Sequence, residues 1–177
     1  MEYLPNIIFA IILIIGIGYF SRNIMKIIRN IKLGQKVDAS DNKSQRWSNM
    51  ARIALGQSKM VKRPVAGFLH VVVYVGFIII NIEVLEIIID GLFGTHRIGA
   101  EYLPSSLYGF LIGSFEVLAV LVLMSVIVFW IRRNVIKLKR FLSSEMKGWP
   151  KSDGNIILYF EVVLMCLFLV MNATDSV

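Results

Sequence analysis

The chain is organised by long apolar runs separated by clusters of charge and turn residues. A helix needs roughly 20 mostly apolar residues to cross ~30 Å of hydrocarbon, and four runs meet that requirement: about Leu4 to Phe20, Val65 to Phe93, about Leu107 to Trp130, and Ile156 to about Ala173. The pattern predicts an all-α polytopic transmembrane helix bundle, with residues 1–177 forming one membrane domain and basic loops at 21–64 and 131–155. The first run is flanked by Glu2 instead of a basic segment, and no small-residue cleavage pattern follows it, so it reads as a retained helix and not a signal peptide.

The charges give this pattern a direction. Of 19 Lys and Arg, 11 lie between Arg22 and Arg63, seven lie between Arg132 and Lys151, and only Arg97 falls elsewhere. The positive-inside rule then places both basic loops in the cytoplasm, with the N-terminus, the loop around Gly94 to Ser106 and the end of the sequence outside. Apolar residues recur among the charges. Ile24, Ile27, Ile28 and Ile31 sit beside Lys26, Arg29 and Lys32, while Val135, Leu138 and Leu142 sit beside Arg133, Lys137 and Arg140. Both segments read as helices continuing into the cytoplasm. Ser44 to Lys59, with Trp47, Met50, Ala54 and Leu55 on one side, reads as an interfacial amphipathic helix. Two partners suit this basic surface: anionic lipid headgroups, or an acidic or electron-carrying cytoplasmic domain. Nucleic acid is not expected, because positive-inside bias already accounts for the basicity.

Composition narrows the class. The 177 residues are 56% apolar and 18% charged, with one cysteine and two histidines, which excludes a water-soluble globule, a disulfide framework and a protein-only zinc site. No glycine-rich phosphate loop, nucleophile triad or dinucleotide fingerprint is present, so the chain is not expected to be catalytic alone. Cys166 is expected to be buried and inert. Gly109 and Gly113 offer a small-xxx-small packing face; Gly16 and Gly18 can serve the first helix similarly, although their spacing of two does not put them on one face.

Ionisable groups inside spans carry the chemistry, because each is costly there. His70 lies about five residues into the second span, ~8 Å from its start. Lys62, Arg63 and Gly67 precede it, and Tyr74, Gly76 and Phe77 follow. A neutral imidazole can ligate haem iron, glycines can admit a flat macrocycle, and Lys62 and Arg63 can pair with propionates; the plain alternative is a histidine hydrogen-bonded to a neighbouring helix. His96 follows by 26 residues, a rise approaching ~39 Å, so the two cannot share one haem within a chain. The opposite ligand then comes from a second protomer, making a homodimer, or from a partner, further polypeptide or another residue type. His96 itself reads as a solvated loop residue. Glu83, Glu86 and Glu116 are candidates for a proton path from a quinol site to the outside, Asp90 continuing the Glu86 face; alternatively they bond helices together. Glu161, expected at the depth of His70, is a candidate neighbour to haem or quinone.

The run Arg63-Pro64-Val65-Ala66-Gly67-Phe68-Leu69-His70 with Tyr74-Val75-Gly76-Phe77, the segment Gly94-Thr95-His96-Arg97 and the string Met146-Lys147-Gly148-Trp149-Pro150-Lys151 resemble the membrane module of heterodisulfide-reductase-related iron-sulfur oxidoreductases. That module is similar to the haem b subunit of respiratory nitrate reductase, and some members are regarded as electron-transfer-flavoprotein:menaquinone oxidoreductases. The resemblance runs from Arg63 to Asp175. It implies a b-type haem on His70, a quinone, specifically menaquinone, and a multi-pass protein of the bacterial inner membrane. Its partner would be a cytoplasmic iron-sulfur domain or electron-transfer flavoprotein. Two departures stand out. With Cys166 alone these residues cannot hold a cluster, and the sequence stops at Val177, just after the fourth span, where such modules usually go on to a fifth with further histidines. The expectation is therefore the N-terminal part of a longer polypeptide, or a subunit whose partners bring the clusters and the second ligand.

These readings converge on a membrane electron-transfer module linking a cytoplasmic iron-sulfur domain to the quinone pool. The alternative is a cofactor-free scaffold that docks a cytoplasmic or envelope partner through its basic loops. A proton-coupled transporter is disfavoured by the lack of an inverted repeat or broken helices.

Overall fold

In the computed structural model every apolar run is a helix, and each is longer than the run itself. The structure describes residues 3–35 and 41–175; Glu2, Lys36, Ser176, Val177 and the side chain of Arg140 lie outside the described residues. The elements are α1 (Leu4–Lys32), α2 (Lys43–Met50) continuing into a π-turn (Ala51–Leu55), α3 (Pro64–Phe93), α4 (Ile98–Tyr102), α5 (Ser105–Asn134) and α6 (Trp149–Thr174), with no strand among the described residues. α1, α3, α5 and α6 are long and apolar enough to cross a membrane, so this is an all-α, multi-pass membrane protein.

The helix ends follow local chemistry. Pro5 and Pro150 sit in the first turns of α1 and α6, where a missing N–H costs nothing. α6 starts at Trp149, well before Ile156, because Gly148 takes φ +75° just ahead of it. The helical extension expected on α1 beyond its apolar run is present through Lys32. The one expected on α5 is not: the helix stops at Asn134, Lys137 adopts φ +51°, and two short 3₁₀ turns follow at Lys139–Phe141 and Ser144–Met146. A left-handed residue ends a helix regardless of the apolar spacing beyond it. The amphipathic segment likewise ends at Leu55, short of Lys59, with Gln57 at φ +49°.

The chain forms two units. One comprises 1–58 and 84–102; the other comprises 59–83 and 103–177. In the first, α1 buries no residue. Near its start Asn6 donates to the Gly91 carbonyl at 2.9 Å, and the Phe9 ring lies where a side chain on Gly91 would stand.

In the second unit the buried apolar positions of α5, namely Tyr108, Phe115, Ala119, Val122 and Val126, with Ser125 buried beside them, recur at alternating steps of three and four after Phe115, the spacing of a coiled-coil seam. Met165, Phe168 and Asn172 repeat it on α6, and Gly76, Ile80 and Glu83 on α3. α5 and α6 run antiparallel in one register along their length. Asn134 and Asn155 exchange side-chain amide bonds at 3.2 and 2.9 Å, Trp130 donates to the Tyr159 hydroxyl at 3.2 Å, and further along Val120 and Glu116 line one groove with Leu169 and Ala173. Without a hydrophobic drive between helices in lipid, close packing does the work. It falls on Gly76, Ala119 and Ser125. Gly109 and Gly113 lie off the seam, and a Cβ built on either of them, or on Gly16 or Gly18 of α1, meets nothing within 4 Å. Cys166 is also off the seam; it is exposed, not buried.

Candidate functional site

At the basic end of the second unit a turn folds back over the first turn of α3. It can do so because Gly67 has no side chain: a Cβ there would lie 2.9 Å from the Val61 Cα and 3.0 Å from the Met60 carbonyl. This return brings Lys59, Met60 and Arg63 beside Ala66 and His70, and with Phe129 of α5 they line a cavity of about 330 Å³. That size is at the small end of ligand pockets. His70, half-buried, lies six residues into α3, ~9 Å from Pro64.

Two parts of the sequence reading change here. Lys62 is exposed and is not among the lining residues; Lys59 takes the place expected for it. Gly67 and Gly76 do not open space for a ligand. The first admits the turn, and the second admits Val122, whose Cγ2 lies 2.5 Å from where a Cβ would be. Phe129 and Lys59 were not anticipated, because they reach His70 from another helix and from a backward turn that no local pattern announces. Glu161 is half-buried on α6 and does not line the cavity. It lies twelve residues into the observed α6, and the α5–α6 register puts it one residue from the level of Phe129.

The carboxylates divide into two groups. Counting in opposite directions from Gly76 and Val122, seven residues reach Glu83 and Phe115, both buried, Glu83 to 1% exposure. Glu116, next along α5, is half-exposed and lines a groove of about 460 Å³ with Val117, Val120, Leu121, Leu169 and Ala173. Counted from the Gly76–Val122 contact, Glu83 lies near the level of Phe115 and Glu116.

Glu86 does different work. In the first unit it accepts from the Gly99 N–H at 2.8 Å, while Asp90 accepts from the Thr95 hydroxyl, the Arg97 N–H at 2.8 Å and the Ile98 N–H at 3.4 Å. These two carboxylates hold the loop that enters α4 and fix Arg97, which is buried with φ +53°. His96 beside it is exposed. Bonds to a charged acceptor are worth about 1.5–3 kcal/mol. Asp90→Ala should therefore speed hydrogen exchange at the Arg97 and Ile98 amides by at least ~10-fold, while amides of α5 keep their protection.

Among the described residues no group of three or more His, Cys, Asp and Glu side chains could hold a metal ion. The fold and these sites define a multi-pass membrane protein with an imidazole–cation cavity at one end and a carboxyl-bearing groove nearer the other. The chain matches no protein-family model, no curated protein and no solved structure.

Proposed function

We propose that this chain is a membrane electron-transfer module that carries a b-type haem at His70 and exchanges electrons between a cytoplasmic iron-sulfur domain or electron-transfer flavoprotein and a quinone, menaquinone in the form the sequence resemblance implies. The observation that carries the reading is the cavity in which His70 meets Lys59 and Arg63. The donor set suits the group: an imidazole nitrogen for iron, two cations at the membrane edge for propionates, and the apolar Met60, Ala66 and Phe129 around them. Bound there, the haem supplies a one-electron carrier.

The protein's own contribution is placement. α3 sets the imidazole about a turn and a half inside the membrane, and the turn over Gly67 holds the cations just outside it. With the basic loops in the cytoplasm and the N-terminus outside, this cavity faces the side from which low-potential electrons arrive. Arg132, in the last turn of α5, and Lys137, on the basic segment that follows it, offer the positive charge on which an acidic electron donor docks. A second axial ligand comes from a second protomer, a partner or further polypeptide. The location that fits is a bacterial inner membrane.

The test is a reduced-minus-oxidised visible spectrum of the detergent-purified protein with a pyridine haemochrome assay. About one b-type haem per chain is expected, and one per two chains would put two His70 side chains on one iron across a dimer. No haem in intact native membranes would overturn the reading and favour a cofactor-free scaffold.

A further inference from the structure

We propose that the groove around Glu116 binds the headgroup of a membrane quinone, an inference that rests on the electron-transfer reading above. Glu116 sits eleven residues into α5, ~16 Å from Ser105, at a depth where an ionisable side chain needs a partner. No hydrogen bond or ion pair engages its carboxyl among the described residues. The rest of the lining, Val117, Val120, Leu121, Leu169 and Ala173, is apolar, so the occupant must supply the polar contact itself.

The chemistry restricts that occupant. It must be lipid-soluble to reach a groove walled by two membrane helices, and small enough in its head for about 460 Å³. It must also carry a hydrogen-bonding oxygen to meet one carboxyl group. An acyl chain satisfies the first two conditions and fails the third. A quinone satisfies all three in both redox states: protonated Glu116 donates to a quinone carbonyl, and ionised Glu116 accepts from a quinol hydroxyl. A second groove, of about 300 Å³, lies between Trp130 and Tyr159 toward the basic end. It holds no carboxyl group, and the Tyr159 hydroxyl there already accepts from the Trp130 indole N–H.

Binding is read in lipid nanodiscs from quenching of a fluorescent hydroxyquinoline N-oxide, a quinol analogue. Glu116→Leu should weaken binding at least ~10-fold, the loss of a charge-assisted hydrogen bond, and Glu116→Gln, which keeps a hydrogen bond without the charge, should weaken it less. Val120→Trp fills the groove and should abolish binding, whereas Val163→Trp in the second groove should leave it unchanged. Wild-type affinity in both Glu116 variants, loss with Val163→Trp in place of Val120→Trp, or no binding by the wild type would each overturn the proposal. If the Leu variant does not fold, the Gln and Val120→Trp variants decide. Glu116-dependent binding by a haem-free wild type would sink only the haem assignment; haem with Glu116-independent binding would sink only this one.

Discussion

His70→Ala should abolish the b-type absorbance of the purified protein, from about one haem per chain to none, while the chain still inserts, elutes and melts like the wild type. The expectation follows from geometry. His70 is the one histidine lining the cavity at the basic end, and no neighbouring residue in that lining replaces an imidazole as an iron ligand of the same kind. The α3 seam is made by Gly76, Ile80 and Glu83, further along. Loss of absorbance with retained elution and melting separates a ligand from a packing residue. A variant that keeps its full haem content would sink the assignment, and one that loses haem only by failing to fold would be recognised by its melting. Removing charge at Lys59 and Arg63 together should loosen the haem without abolishing it, because propionate pairs at a membrane edge are partly solvated.

The second large effect falls on packing. Gly76→Ala puts a Cβ 2.5 Å from Val122 Cγ2, and Val122 is 1% exposed with no room to withdraw. Overpacking of this kind costs about 1–3 kcal/mol, which in a detergent-solubilised protein should appear as a Tm lowered by several degrees. Val122→Ala in the same chain removes the clashing methyl and should restore most of the loss, whereas Val122→Ala alone should destabilise. That reversal of sign is the signature of a direct contact. If the double variant were no better than Gly76→Ala, the glycine would be serving something other than the approach of α3 to α5.

The sequence made the four spans legible because hydrocarbon thickness imposes a length and a polarity that no soluble helix shares. It marked His70, Glu83 and Glu116 for the same reason, since an ionisable residue in an apolar run stands out. It could not show what meets them. Phe129 reaches the His70 cavity from 59 residues away, and Lys59 arrives by a turn that depends on the missing side chain of Gly67. The glycines show the same limit: Gly67 and Gly76 look like room for a ligand, yet their space is taken by Val61 and Val122, whereas Gly109 and Gly113 look like packing residues and point away from the seam. Glu86 was misleading in another way. Three residues from Glu83 on one helix face, it continues a line of carboxylates toward the membrane surface, but its oxygen is committed to the Gly99 amide. Backbone donors in a loop carry no side-chain signature. The failed extension of α5 belongs here too, because apolar spacing at Val135, Leu138 and Leu142 says nothing of the φ +51° at Lys137.

The position of Cys166 has a practical consequence. It is the only thiol in the sequence and it faces outward from α6, eight residues before the helix ends at Thr174. These 177 residues therefore carry a single attachment point for a spin label or fluorophore. A label there lies on the helix that lines the Glu116 groove but off the packed seam, so it can report on the lipid around α6 without disturbing the contacts that hold α6 to α5.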